Sequence, residues 1–165
     1  MKNSVDEMHP VVEFCVYLVL FFCFCLVLFF GITKARADTY INLNVAAYHF
    51  DREAVKVYNF NEQNWGGGVH YTTGDAGVMG GMYTNSILRP SWYLLGTYTP
   101  VRVGDFKLGL IGGGVSGYEL APVIPASGLF GQYTSGRYGV NLIVTPDVKE
   151  YAVYGFVGLQ FTIKI

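Results

Sequence analysis

The sequence predicts an all-β chain: an eight-stranded antiparallel up-and-down transmembrane β-barrel behind a cleaved N-terminal signal peptide. Three observations predict it. Beyond Asp38, apolar and polar residues alternate with the period of two that strands require, and no window carries a helical period. Glycine and tyrosine are abundant while runs of Ala, Glu, Lys and Leu are missing, a balance that suits strands and tight turns. The connections between candidate strands also alternate short and long, as in membrane barrels with periplasmic turns and external loops.

The first 37 residues read as a targeting segment. An apolar stretch from Val11 to Ile32, broken by Glu13, leads into Thr33-Lys34-Ala35-Arg36-Ala37. Ala35 and Ala37 have the spacing that signal peptidase accepts, which predicts cleavage before Asp38. An uncleaved anchor is the alternative, because about 20 apolar residues span a bilayer and Asp6 and Glu7 outweigh Lys2. Cys15, Cys23 and Cys25 all lie in this segment, so residues 38–165 offer neither a disulfide framework nor a thiolate metal site. With His49 and His70 as their only histidines, no metal or other cofactor is expected. These 128 residues suit one domain, and eight Lys and Arg against nine Asp and Glu exclude the basic surface of a nucleic-acid binder.

The first strand, 39–50, alternates Ile41, Leu43, Val45 and Ala47 with Asn42, Asn44, Ala46 and Tyr48. The second, 65–72, stops at the turn residues Thr73-Gly74-Asp75. The third and fourth, 77–85 and 91–100, are apolar on both faces: Val78 and Met82 alternate with Met79 and Tyr83, and Trp92 and Leu94 with Tyr93 and Leu95. Arg102-Val103-Gly104-Asp105 turns the chain into the fifth, 106–117. The sixth and seventh, 127–134 and 138–145, flank Ser135-Gly136-Arg137. The eighth, 152–165, alternates from Val153 to Ile165. Residues 112–117 contain a G-x-G-x-x-G spacing, but no helix follows, so the nucleotide-binding reading fails its context.

Two apolar faces favour a membrane barrel over a sandwich, since lipid demands an apolar exterior and forbids open edges. A soluble lipocalin-like barrel is the runner-up. With the more apolar face turned to lipid, the last strand sends Tyr154 and Phe156 inward near the outside and Gln160, Thr162 and Lys164 inward near the periplasm. The first strand agrees, with Asn42 and Asn44 low and Ala46 and Tyr48 high, and this parity turns His49 toward lipid unless a bulge intervenes. The expected lumen is polar below and apolar above, which suits an acyl chain rather than a water channel.

Several stretches resemble the lipid A palmitoyltransferase family of small outer-membrane barrels. They are Phe50-Asp51-Arg52-Glu53, Tyr58-Asn59, Trp65-Gly66-Gly67-Gly68, Tyr83-Thr84-Asn85-Ser86, Pro122-Val123-Ile124-Pro125 and Val144-Thr145-Pro146, in the family's order. The resemblance implies a monomeric protein of the bacterial outer membrane whose partners are membrane lipids. It implies movement of a phospholipid acyl chain to lipid A, through a His, an Asp and a Ser at the external rim. Ser86 matches the serine, Asn85 stands where the aspartate belongs, and the histidine position falls on Val45, with His49 four residues on. The candidate site is therefore Ser86, His49 and Asn85. Asn85 cannot serve as a general base, so the alternative is a non-catalytic barrel that binds lipid or modifies the surface. Asp51, Arg52, Glu53, Glu62 and Arg89 read as a solvated loop surface or as contacts to lipid A phosphates.

Overall fold

The computed structural model describes residues 37–148 and 154–165, so the expected signal peptide lies outside the described residues apart from Ala37. Eight antiparallel strands close into a barrel in sequence order. They are β1 (Ala37–His49), β2 (Gly66–Thr73), β3 (Ala76–Thr84), β4 (Pro90–Val103), β5 (Phe106–Ser116), β6 (Val123–Ser135), β7 (Tyr138–Thr145) and β8 (Phe156–Lys164). Pairing of β1 with β8 from Tyr40↔Lys164 to His49↔Phe156 shuts the sheet and removes its edges.

The three expected tight turns each hold two residues, between the closing pairs Thr73↔Ala76, Val103↔Phe106 and Ser135↔Tyr138. Each has glycine first, at φ 61, 60 and 61 for Gly74, Gly104 and Gly136. Positive φ at the first central position is the type II′ signature, whose twist matches paired strands. These turns share one end of the barrel with the start of β1 and the end of β8. The longer connections share the other, loop end.

Two strands outrun their expected bounds. β6 begins at Val123 and takes in Pro125, on a stretch that pairs with β5 but lies beyond the β7 pairing, which starts at Leu129. Pro125 is tolerated because no β7 ladder passes there. β4 continues to Val103 through a register shift between Tyr98 and Val101 that absorbs Pro100. The eighth strand starts at Phe156 rather than at residue 152; residues 152–153 lie outside the described residues.

The first long loop corrects the expectation of no helix. Asp51 accepts hydrogen bonds from the Glu53 and Ala54 N–H groups at 3.1 and 2.9 Å and caps a seven-residue helix, α1 (Arg52–Tyr58). Asn59, left-handed at φ 51, ends it. Only Ala54 is buried, so the apolar period is too short to register in the sequence.

The outward face is apolar: Ile41, Leu43, Val69, Leu94, Leu108 and Phe161 are all more than 40% exposed. Among the described residues, charged side chains sit in loops, turns and rims or, as with Lys107, inside the lumen. That is the surface lipid requires. Inside, the lumen is filled. Gln132, Asn141, Gln160 and Asn44 are successive cross-strand partners on β6, β7, β8 and β1. Their amides hydrogen-bond in sequence at 3.1, 3.1 and 2.6 Å. Strand tilt makes this row climb from near the turn end on β6 to the loop end at Gly66 on β2. Beside it, Met79 and Phe130, 0% and 1% exposed, form an apolar plug with Tyr93, Leu95 and Ile111.

Inward glycines make room for this filling. A Cβ on Gly68 would stand 2.3 Å from the Tyr93 hydroxyl and 2.4 Å from the Gly80 carbonyl oxygen, and one on Gly81 would stand 2.6 Å from the same hydroxyl. The Tyr93 ring crosses the lumen only because β2 and β3 present no side chain there.

Candidate functional site

Above the plug the barrel holds a cavity of about 120 Å³ at its loop end. Leu95 and Ile111 floor it, and Val115, Ala126, Ile143 and Leu159 contribute apolar wall. Polar groups gather where His49, Asn64, Ser86 and Tyr118 reach the cavity. His49 and Ser86, both expected from the sequence, thus border one space.

His49 gets there through a β-bulge, and the expected lipid-facing parity is corrected. β1 alternates regularly up to Asn44, buried at 7%. Register against β8 then jumps from Asn44↔Gln160 to Ala46↔Leu159, leaving Val45 as an extra residue. One extra residue reverses the side-chain parity beyond it. Tyr48, expected inside, is therefore 57% exposed, whereas His49 is inside at 4%. The His49 ring lies against Phe60 and Phe156, at centroid distances of 5.2 and 5.7 Å.

A carboxylate backs this ring, and its part was not legible in the sequence. Glu62 Oε1 accepts the His49 backbone N–H at 2.9 Å and stands 3.5 Å from His49 Nδ1. Arg52 donates through both terminal nitrogens to the Glu62 carboxylate, at 2.5 and 3.0 Å, and through Nη1 to the His49 carbonyl at 3.2 Å. Its guanidinium also lies 4.5 Å from the centre of the Tyr48 ring. The Arg52 hydrogen bonds hold the Glu62 carboxyl down to about 2 from its ordinary 4.5, so it is anionic under ordinary conditions. Arg52, Glu62 and Arg89 had read as solvated loop charges or contacts to lipid A phosphates, and Glu119 had carried no reading. They form two ion pairs, Arg52–Glu62 and Arg89–Glu119, the latter at 2.6 Å.

Asn85, 0% exposed, ties down the β3–β4 connection. Its Nδ2 donates to Ser91 Oγ and the Gly117 carbonyl, each at 2.9 Å, and its Oδ1 accepts from the Ile87 and Arg89 N–H groups at 3.0 and 2.9 Å. Those four bonds use the whole capacity of the amide. A substrate reaching for Asn85 has to displace one of them. The tied turn presents Ser86, whose carbonyl accepts the Asn61 N–H at 2.8 Å and joins the two loops. Among the described residues no hydrogen bond connects Ser86 to His49.

No protein-family model and no curated protein matches the chain. Among solved structures, the solution NMR structure of de novo designed TMB2.3 is similar, with TM-score 0.55 at 14% identity, over 82% of this chain and 98% of that one. The likeness is one of fold: a closed, eight-stranded, membrane-type β-barrel.

Proposed function

We propose that this chain is an outer-membrane barrel whose loop-end cavity receives the apolar end of a lipid acyl chain. The observation that carries the reading is a floored, mostly apolar cavity, open at one rim, inside a barrel whose exterior is itself fit for lipid. Short turns at the end where β1 starts and β8 finishes match the periplasmic side of such barrels, which supports reading the cavity as one of the outer leaflet. Its volume of about 120 Å³ is near the roughly 150 Å³ of a dry cavity that admits benzene. The cavity takes the tip of a chain at this size, and a longer insertion requires the Leu95 and Ile111 side chains to move. Each buried methylene contributes about 0.8 kcal/mol.

Acyl transfer to lipid A is the second reading. Two observations favour it: His49 and Ser86 face the same cavity, and an anionic carboxylate stands behind His49. In this reading Ser86 is the polar rim group, His49 the base, and Asn85 the residue that holds Ser86 in place.

The test has two arms in one strain lacking its own palmitoyltransferase. A phospholipid carrying a photoreactive group at its acyl terminus is expected to label Leu95 or Ile111 themselves, with the modified residue located by fragmentation of the labelled peptide. Labelling confined to outward residues such as Leu94 and Leu110 sinks the lipid-binding reading. Lipid A is analysed by mass spectrometry in parallel. A species heavier by one acyl chain, absent in Ser86→Ala, establishes transfer; unchanged lipid A beside a folded barrel leaves binding without this chemistry.

A further inference from the structure

We propose that Glu62 acts as a positioning residue that keeps the His49 proton on Nδ1 and turns the Nε2 lone pair to the cavity. The argument starts from the two ring nitrogens. Nδ1 lies on the Glu62 side at 3.5 Å, longer than an ideal hydrogen bond by about half an ångström. The same oxygen is already fixed to this residue by the His49 backbone N–H at 2.9 Å, and it is the carboxylate oxygen that faces Nδ1, a buried atom with no hydrogen-bond partner. Nε2 has no partner among the described residues, and His49 borders the cavity. A histidine's tautomer follows the bond that its other nitrogen makes. The groups facing His49 are Glu62 and Arg52 from the first loop, with the rings of Phe60 and Phe156.

Arg52 shapes what Glu62 can do. A carboxylate held this firmly anionic by a bidentate guanidinium is a poor proton acceptor, so the proton stays on the imidazole. Its negative charge still favours an imidazolium on His49. If the cavity performs acyl transfer, on which this use of the lone pair rests, Nε2 takes the proton of the attacking hydroxyl as its oxygen bonds to the acyl carbon. The proton passes to the departing oxygen as the old ester C–O bond breaks.

The tautomer is measurable without any activity, by nitrogen NMR of the folded protein in micelles, with the signal assigned by its loss in His49→Gln. The wild type is expected to show the Nδ1–H form. Glu62→Gln is expected to mix the tautomers and to lower the His49 titration midpoint, since one nearby opposite charge is lost. Arg52→Ala loosens the same loop but keeps the carboxylate, and is expected to retain the Nδ1–H form. An unchanged tautomer and midpoint in Glu62→Gln overturns the proposal. So does an equal change in Arg52→Ala, which would assign the effect to loop placement. A Glu62-dependent tautomer together with unmodified lipid A would uphold the positioning role and reject the transfer reading alone.

Discussion

At Asn85 the resembled family carries an aspartate, and the surroundings decide how such a change would act here. Both amide hydrogens are in use, one on Ser91 Oγ and one on the Gly117 carbonyl, each at 2.9 Å. A carboxylate offers no hydrogen to either. Ser91 could turn its hydroxyl toward the new acid only by abandoning the Ser116 carbonyl, which it now reaches at 2.6 Å. Asn85→Asp is therefore expected to destabilise the barrel by about 1–3 kcal/mol, the cost of buried groups left unpaired. A urea midpoint measured in micelles checks this, and an unchanged midpoint would mean that those two bonds do not hold the turn. The carboxylate that stands beside His49 is Glu62, 3.5 Å from Nδ1. Sequence reading reached His49 and Ser86 through the resemblance, but Glu62 lies 13 residues from His49, and only the folded loop brings them together.

At the scale of the element, β1 carries the least legible feature. The strands themselves were readable, because one face meets lipid and period two follows directly; the turns were readable, because glycine at positive φ is what two-residue hairpins need. Val45 gives no such signal. It is an ordinary strand residue whose extra place shows only in the register with β8, some 115 positions along the chain. Helix α1 escaped for a related reason, with a single buried residue over two turns. If Val45 is the supernumerary residue, deleting it regularises the ladder and leaves His49 inside. Deleting Val45 and Ala46 together leaves an odd number of steps, three, between Asn44 and His49 and turns position 49 to lipid. A spin label on His49→Cys is expected to resist a lipid-soluble relaxation agent in the single deletion and to respond to it in the double deletion. A lipid-accessible label in the single deletion would refute the bulge assignment.

For the whole molecule, the filling of the lumen decides between vessel and pore. Met79 and Phe130 leave no accessible surface to speak of, and the amide row from Gln132 to Asn44 occupies the adjoining wall. Porin interiors are polar and water-filled, and this one is neither along its full length. The protein reconstituted in planar bilayers is expected to show no steady ion conductance. Sustained ohmic currents would contradict a sealed barrel. The expected division into a polar turn half and an apolar loop half captured the trend. It missed that the amides run obliquely, because strand tilt carries one register row from end to end.

The β1–β8 seam also has a place in time. It holds the bulge, the His49–Phe156 contact, the Gln160–Asn44 amide link and, at the turn end, the Lys164–Asp38 pair at 2.7 Å. Hairpins between neighbouring strands form locally and early, whereas joining the first strand to the last carries the largest loop-closure entropy. Until that join is made, Val45 has no partner against which to be extra, and His49 has no defined side. The mouth of the cavity is thus completed by the last pairing, so eight strands joined by their seven hairpin pairings hold every residue of the site without yet fixing the place of His49.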